Sequence, residues 1–116
     1  MAFLSSVHGC SAKGPDKMKF GLVTYQWGRD WDLPTLIANC VKAGYEGVEL
    51  RTQHSHGVET GLNASQRMDV KKMFDDSPVK CIGYGSNFEY HSPDPGQLRE
   101  NIEQTKEYIK LCREIG

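Results

Sequence analysis

The sequence predicts an α/β protein in which short strands alternate with helices. Between Met18 and Gly116, three runs that favour strands each precede a stretch with helical periodicity. This alternation is typical of a parallel sheet whose strands are joined by right-handed crossovers. Each βα unit takes roughly 33 residues, and eight such units would match the usual length of a (β/α)8 TIM barrel. We therefore expect the first three βα units of such a barrel, with a small complete α/β layer fold as the alternative.

Composition and charge narrow the classes of protein to which the chain can belong. It has 116 residues, of which 38% are hydrophobic and 25% charged, and its formal net charge is −1. These values are typical of a globular domain, and a nearly neutral chain lacks the positive charge of nucleic-acid-binding proteins. No apolar run approaches the ~20 residues that a transmembrane helix needs. We expect no nucleic-acid partner and no membrane span, while unpaired sheet edges leave room for a homo-oligomer.

Residues 1–17 differ from the rest of the sequence and are expected to lie outside the fold. A broken apolar stretch precedes Cys10, and loop-forming residues follow it. We interpret the segment as a disordered tail or as a clipped export signal, although no Lys or Arg precedes Lys13. The expected location is cytoplasmic, with a bacterial envelope lipoprotein modified at Cys10 as the alternative.

The first unit is predicted to be a strand over Met18–Tyr25 and a helix that begins after Asp32. Asp32 is a favoured N-cap residue, and Pro34 in the first turn removes no hydrogen bond that the helix needs. Gly44 is expected to end the helix. Five apolar residues fall on one helical face: Leu33, Leu36, Ile37, Cys40 and Val41.

The second unit is predicted to be a strand over Glu46–Arg51 and a helix capped by Asn63. Alternation along the strand places Val48 and Leu50 on one side of the sheet, and Glu49 and Arg51 on the other. Asn63 with Gln66 forms a capping-box pattern, and Ser77-Pro78 is expected to end the helix. Its expected apolar contacts are Met68, Met73 and Phe74.

The third unit is predicted to be a strand over Val79–Ser86 and a helix opened by Asp94-Pro95. Gly83 and Gly85 weaken the strand but permit another group to approach its backbone closely. The helix carries a stripe of residues expected to face the sheet: Leu98, Ile102, Thr105, Ile109 and Cys112.

Polar and aromatic side chains follow all three predicted strands. In parallel α/β folds, functional groups gather at the carboxyl ends of the strands, so these side chains are expected to share one rim. The groups are Tyr25, Gln26 and Trp27 after the first strand, Glu49, Arg51, His54 and His56 at the second, and Asn87, Glu89 and His91 after the third.

Several of these residues also have a purely structural interpretation. Glu49 and Arg51 can form an ion pair that orders the sheet. His54 and His56 can belong to a solvated loop, and His91 can cap the loop that precedes the third helix. The convergence of the whole group on one rim favours a binding site more than any single residue does.

Two stretches resemble a known family. Lys19–Tyr25 (KFGLVTY) and Ala43–Leu50 (AGYEGVEL) resemble the opening of the xylose isomerase-like barrels. These include sugar phosphate isomerases and epimerases and the relatives of endonuclease IV. Leu50–Glu59 and Phe88–Pro95 are similar to bacterial sugar phosphate isomerases/epimerases. The resemblance extends over residues 18–116, about a third of such a barrel.

The resemblance implies metal-assisted proton transfer on a small sugar or sugar phosphate. Family members bind a divalent metal (Mn, Mg, Co or Zn) at the mouth of the barrel, with ligands and catalytic carboxylates mostly from strands five to eight. Those strands lie outside this chain, so no metal ligand is assigned here and the chain alone is expected to be inactive. Glu49 is expected to assist proton transfer. The substrate is expected to contact Tyr25, Arg51, His54, His56, Glu89 and His91.

Two other functions remain open at this stage. One is a non-catalytic sugar-binding protein that uses the same rim. The other is a metal-dependent phosphodiesterase like endonuclease IV, in which the resemblance implies a zinc-binding histidine at the end of the third strand. This chain has Tyr84-Gly-Ser86 there, and its net charge is nearly neutral. Both features argue against the nuclease.

Overall fold

The computed structural model describes residues 17–116 of the chain. Within them, strands and helices alternate in the predicted order: β1 (Gly21–Val23), α1 (Leu33–Ala43), β2 (Gly47–Arg51), α2 (Ala64–Asp75), β3 (Lys80–Gly85) and α3 (Pro95–Ile115). β1 and β3 are shorter than predicted at both ends. Except for Lys17, the predictions for residues 1–17, including Cys10, fall outside the described residues.

The three strands form one parallel sheet in the order β1-β2-β3. The prediction of a (β/α)8 barrel is wrong, because the described residues form an open three-stranded sheet that is too small to close. Closure requires strands enough for the first to pair with the last, as eight do in a TIM barrel. The alternating pattern from which the barrel was predicted is common to parallel α/β folds and carries no information on closure. The described residues form a small α/β layer arrangement instead.

The predicted caps of the first two helices are confirmed. Asp32 accepts a hydrogen bond from the backbone N–H of Thr35 at 2.9 Å, and Gly44 ends α1 in the left-handed region at φ 79°. Asn63 and Gln66 exchange two 2.9 Å hydrogen bonds at the start of α2, which completes the capping box. Each cap satisfies backbone groups that a helix end leaves without a partner.

The core lies between the helices and one face of the sheet. That face contributes Leu22, Val48 and Leu50, which are 9% exposed or less. The opposite face exposes Val23 and Ile82, at 46% and 65%, and no described helix covers it. Glu49 and Arg51 belong to this second face, as the alternation along β2 predicts, and the site begins there.

The apolar stripes predicted for α2 and α3 are partly wrong. On α2, Met68 is 70% exposed, while Arg67 is buried beside Phe74. On α3, Ile109 is 63% exposed, and Leu111 and Ile115 are buried instead. Tyr108 also lies on the buried side of α3, where its ring packs against Tyr84 at a centroid distance of 4.9 Å.

α3 is the longest described helix, with 21 residues. Charged residues recur along its whole length, and none of the helices in residues 17–116 is long and apolar enough to cross a membrane. Its buried end packs against α2 and β3, which fixes the position of Tyr108 below the β2–α2 loop.

Candidate functional site

The carboxyl ends of β1 and β2 and the loop after β3 border a polar groove of about 420 Å³. We call it the rim groove. Its wall is mostly polar and carries two arginines and a histidine. The lining residues are Tyr25, Gln26, Arg29, Arg51, Thr52, Gln53, His54 and Asn87.

Arg51 is the last residue of β2 and the central cation of the rim groove. Its guanidinium donates to Asn87 Oδ1 at 3.0 Å and lies over the Tyr25 ring, 5.2 Å from the centroid. Within the described part of the chain no carboxylate forms an ion pair with Arg51, not even Glu49 two residues before it. The structural interpretation of Glu49 and Arg51 as an ion pair is thus not found among the described residues, and the Arg51 charge is left available to a ligand.

The side chains of Glu49 and Arg51, both on β2, lie side by side over the backbone of the neighbouring strand β3. A Cβ added at Gly85 would stand 3.0 Å from both Glu49 Oε1 and Arg51 Nη1. The prediction that a glycine in β3 permits close approach is confirmed, since both side chains occupy the space that a larger residue at 85 would fill. None of residues 17–116 donates a hydrogen bond to the Glu49 carboxylate through a side chain. The carboxylate therefore faces the open side of the sheet beside the rim groove.

Thr24 ties the ends of β1 and β2 together beneath the groove. Its buried hydroxyl accepts a hydrogen bond from the backbone N–H of Arg51 at 2.9 Å. The same oxygen lies 3.2 Å from His54 Nδ1, which orients the imidazole along the groove wall. Because Thr24 is enclosed, this arrangement fixes His54 relative to Arg51.

His56 is placed in the core, unlike His54. The side chain is 6% exposed, its Nε2 lies 2.8 Å from the Arg51 carbonyl, and its Nδ1 accepts from the Val58 N–H at 3.0 Å. Nδ1 must be unprotonated to accept this bond, so Nε2 carries the proton and donates it to the carbonyl. Burial, above all, lowers the pKa of His56. The ring holds the β2–α2 loop and does not reach the rim groove.

Glu89 and His91 lie in a second, separate hollow. They are 3.5 Å apart, with side chains 73% and 81% exposed, and the hollow also contains Gln97 and Asn101 of α3. Asn87 lines both hollows and lies between them. Of the predicted substrate-binding residues, the structure thus brings together Tyr25, Arg51 and His54, with Glu49 beside them.

Sequence reasoning missed Arg29, Thr24 and Gln53 at this site. Arg29 had a usable signal, since it belongs to the β1–α1 loop, which follows the carboxyl end of β1. Gln53 had none, because it adopts a left-handed conformation (φ 65°) without being Gly, Asn or Asp.

The residues present do not fit a metal centre. In the described chain no group of three or more His, Cys, Asp or Glu side chains is arranged to hold a metal ion. Glu89 and His91 come together only as a pair, and His54 and His56 point to different surroundings. The divalent metal implied by the resemblance therefore has no ligand set among residues 17–116.

Comparison with known proteins adds no relative from which to transfer a function. No protein family, curated protein or solved structure matches the chain. The chemistry of the rim groove must therefore be inferred from its own residues.

Proposed function

We propose that the rim groove binds a small sugar phosphate or a similarly hydroxylated anion. The observation that carries the proposal is the Arg51 guanidinium, which among residues 17–116 bonds only to the neutral Asn87 and lies over an aromatic ring. A guanidinium matches the geometry of a phosphate or carboxylate and can bind it through two parallel hydrogen bonds. Arg29 lies on the same wall with its Nε 3.6 Å from Asp30 Oδ1, so Arg51 is the main source of positive charge for the ligand.

The remaining wall suits the hydroxyl groups of a sugar. Gln26, Gln53 and Asn87 each offer one amide acceptor and two donors, and His54 adds a ring nitrogen. The exposed Tyr25 ring gives an apolar surface against which the C–H groups of a sugar can pack. Anion capture by Arg51 and hydroxyl recognition by the amides together favour a phosphorylated sugar over a bare sugar.

The test is a calorimetric titration with pentose and hexose phosphates, the same sugars without phosphate, and inorganic phosphate. We expect the sugar phosphates to bind more tightly than either of the other two groups. Arg51→Gln should weaken that binding by about tenfold or more, because a charge-assisted hydrogen bond contributes about 1.5–3 kcal/mol. Arg99→Gln, on the exposed start of α3, is the matched control. Equal affinities for all ligands, or no loss in Arg51→Gln, would contradict the proposal.

The position of Glu49 favours a second, catalytic function at the same place: sugar phosphate isomerisation or epimerisation. Its carboxylate lies beside the Arg51 guanidinium at Gly85 and receives no side-chain hydrogen bond from the described residues. A carboxylate so placed can take a proton from the carbon next to the sugar carbonyl and return it to the carbonyl carbon, while the proton of the adjacent hydroxyl passes to the carbonyl oxygen, which completes an isomerisation. Epimerisation requires in addition that water returns a proton to the opposite face of the first carbon. The Arg51 charge would then stabilise the negative oxygen formed in between.

Exchange of substrate hydrogen with solvent tests this second function directly. A sugar phosphate incubated with the protein in D2O should acquire deuterium at the carbon next to the carbonyl, as measured by mass spectrometry. Glu49→Gln should abolish this exchange while it leaves the calorimetric affinity within about threefold, since Gln keeps the size of the side chain. Binding without exchange in the unaltered protein would identify a non-catalytic sugar-binding function.

A further inference from the structure

The β2–α2 loop contains a backbone conformation that needs support. Gln53 has φ 65°, a region that non-glycine residues adopt at a cost in free energy. The residue is exposed, lines the rim groove and stands between Arg51 and His54 in sequence. A conformation of this kind persists only when surrounding contacts hold it.

Those contacts converge on Glu59, six residues further along the loop. One carboxylate oxygen, Oε1, accepts the backbone N–H of Gln53 at 2.6 Å. The other, Oε2, accepts the Tyr108 hydroxyl at 2.5 Å and lies 3.3 Å from the Thr52 hydroxyl. Hydrogen bonds to a carboxylate are stronger than those between neutral groups. Here one carboxylate joins two loop residues to α3.

Tyr108 is a firm anchor for that carboxylate. Its ring packs against Tyr84 and Phe88, with centroid distances of 4.9 and 5.7 Å. Burial, followed by the hydrogen bond to Glu59, raises the pKa of Tyr108, so its hydroxyl stays protonated and donates at neutral pH. Glu59 is thus fixed from α3 and in turn fixes the loop above it.

We propose that Glu59 is the positioning residue of the rim groove: it holds Gln53 in its left-handed conformation and thereby sets the groove wall formed by Arg51, Gln53 and His54. Glu59 is not among the residues that line the groove, so it acts through Gln53 and not on the ligand. The inference rests on the proposed sugar phosphate site, and it names Glu59 as the residue that holds the wall of that site in place.

The first test compares the affinity of a hexose phosphate for three proteins by calorimetry. Glu59→Gln replaces the negative acceptor of the Gln53 N–H with a neutral group, and we expect binding to weaken by about tenfold. Adding Gln53→Asn should restore most of it, because Asn keeps an amide and adopts the left-handed region more readily. Glu103→Gln, an exposed carboxylate on α3 that pairs with Lys106, is the control. Unchanged affinity in Glu59→Gln, or a loss that Gln53→Asn does not restore, would overturn the proposal.

The second test needs no ligand, so it separates this inference from the proposed function. The short bond to a carboxylate should protect the Gln53 amide from hydrogen exchange and move its proton resonance downfield. In Glu59→Gln both signatures should be lost while the amides of β2 stay protected. If the unaltered protein binds no sugar phosphate, the proposed function fails. An exchange rate at Gln53 that is the same in both proteins overturns the positioning role itself.

Should Glu59→Gln fail to fold, Tyr108→Phe takes its place in both tests. It removes one donor to Glu59 and keeps the aromatic packing, and we expect an affinity loss of about threefold that Gln53→Asn restores. Unchanged affinity and unchanged exchange at Gln53 in Tyr108→Phe would overturn the proposal in that case.

Discussion

The side chain of Arg51 crosses the backbone of Gly85, and Arg51 Cδ lies 2.7 Å from the point where a Cβ at position 85 would stand. Real Cβ atoms essentially never show so short a contact, so a side chain at position 85 would force Arg51 to shift. In the observed conformation, the guanidinium contacts Asn87 and the Tyr25 ring while Cδ passes over the space that a side chain at position 85 would fill. The main cation of the rim groove is thus placed by a glycine on the neighbouring strand.

Gly85→Ala should therefore displace Arg51 and weaken sugar phosphate binding by about tenfold, as the loss of one charge-assisted hydrogen bond does. Gly83→Ala is the matched control, because a Cβ at position 83 would meet Glu49 Cγ at 3.5 Å, an ordinary contact. We expect affinities measured by calorimetry to stay within about twofold in that variant. In a protein that already carries Arg51→Gln, Gly85→Ala should cause no further loss of affinity for the sugar phosphate. If the two losses were instead additive, the two residues would act independently.

Whether a feature of the fold could be predicted from the sequence depends on how far apart in the chain the interacting residues are. The caps at Asp32 and Asn63 involve residues three positions apart, so the local sequence was sufficient to predict them. Alternation along β2 likewise placed Glu49 and Arg51 on the same face. The barrel was predicted from the same kind of local pattern and was wrong, because closure depends on strand number and tilt.

The support of the site could not be read from the sequence. Glu59 and Tyr108 are 49 residues apart, and only the packing of α3 brings them together. His54 and His56 look equivalent in sequence, since both follow β2 in the same polar loop. The structure places His54 at the groove wall and buries His56, whose ring bonds to the Arg51 carbonyl and the Val58 N–H.

The buried ring of His56 predicts a pH dependence of stability. Burial lowers its pKa below the ordinary value of 6.5, although the Arg51 carbonyl and the Glu59 charge oppose the shift and His54 adds to it. Below pH 6.5 the unfolded chain then binds a proton that the folded chain does not. The free energy of unfolding should therefore fall as the pH decreases below about 6.5, by up to about 1.4 kcal/mol per pH unit for one proton.

Urea unfolding at a series of pH values measures this slope. His56→Gln should flatten it between about pH 6.5 and 5, whatever the variant does to stability at pH 8. His91→Gln is the control, since the His91 side chain is 81% exposed in the folded protein and is solvated in both states. A slope that survives in His56→Gln, or disappears in His91→Gln, would contradict the assignment of the neutral ring to the folded state.

Arg67 predicts a contrast between the two partners of a single ion pair. The guanidinium is in a residue that is 8% exposed, and it donates to the carbonyls of Leu62 at 2.9 Å and Thr60 at 2.6 Å as well as to Glu114 at 2.6 Å. Arg67→Met fills the space but leaves both carbonyls without their donor. We expect the free energy of unfolding to fall by about 2–4 kcal/mol.

The Glu114 side chain is 42% exposed, so water can replace it as an acceptor. Glu114→Gln should therefore cost no more than about 1 kcal/mol in the same urea experiment. Equal losses in the two variants would mean that the ion pair between Arg67 of α2 and Glu114 of α3, and not the bonds to the loop carbonyls, accounts for the stability that Arg67 contributes.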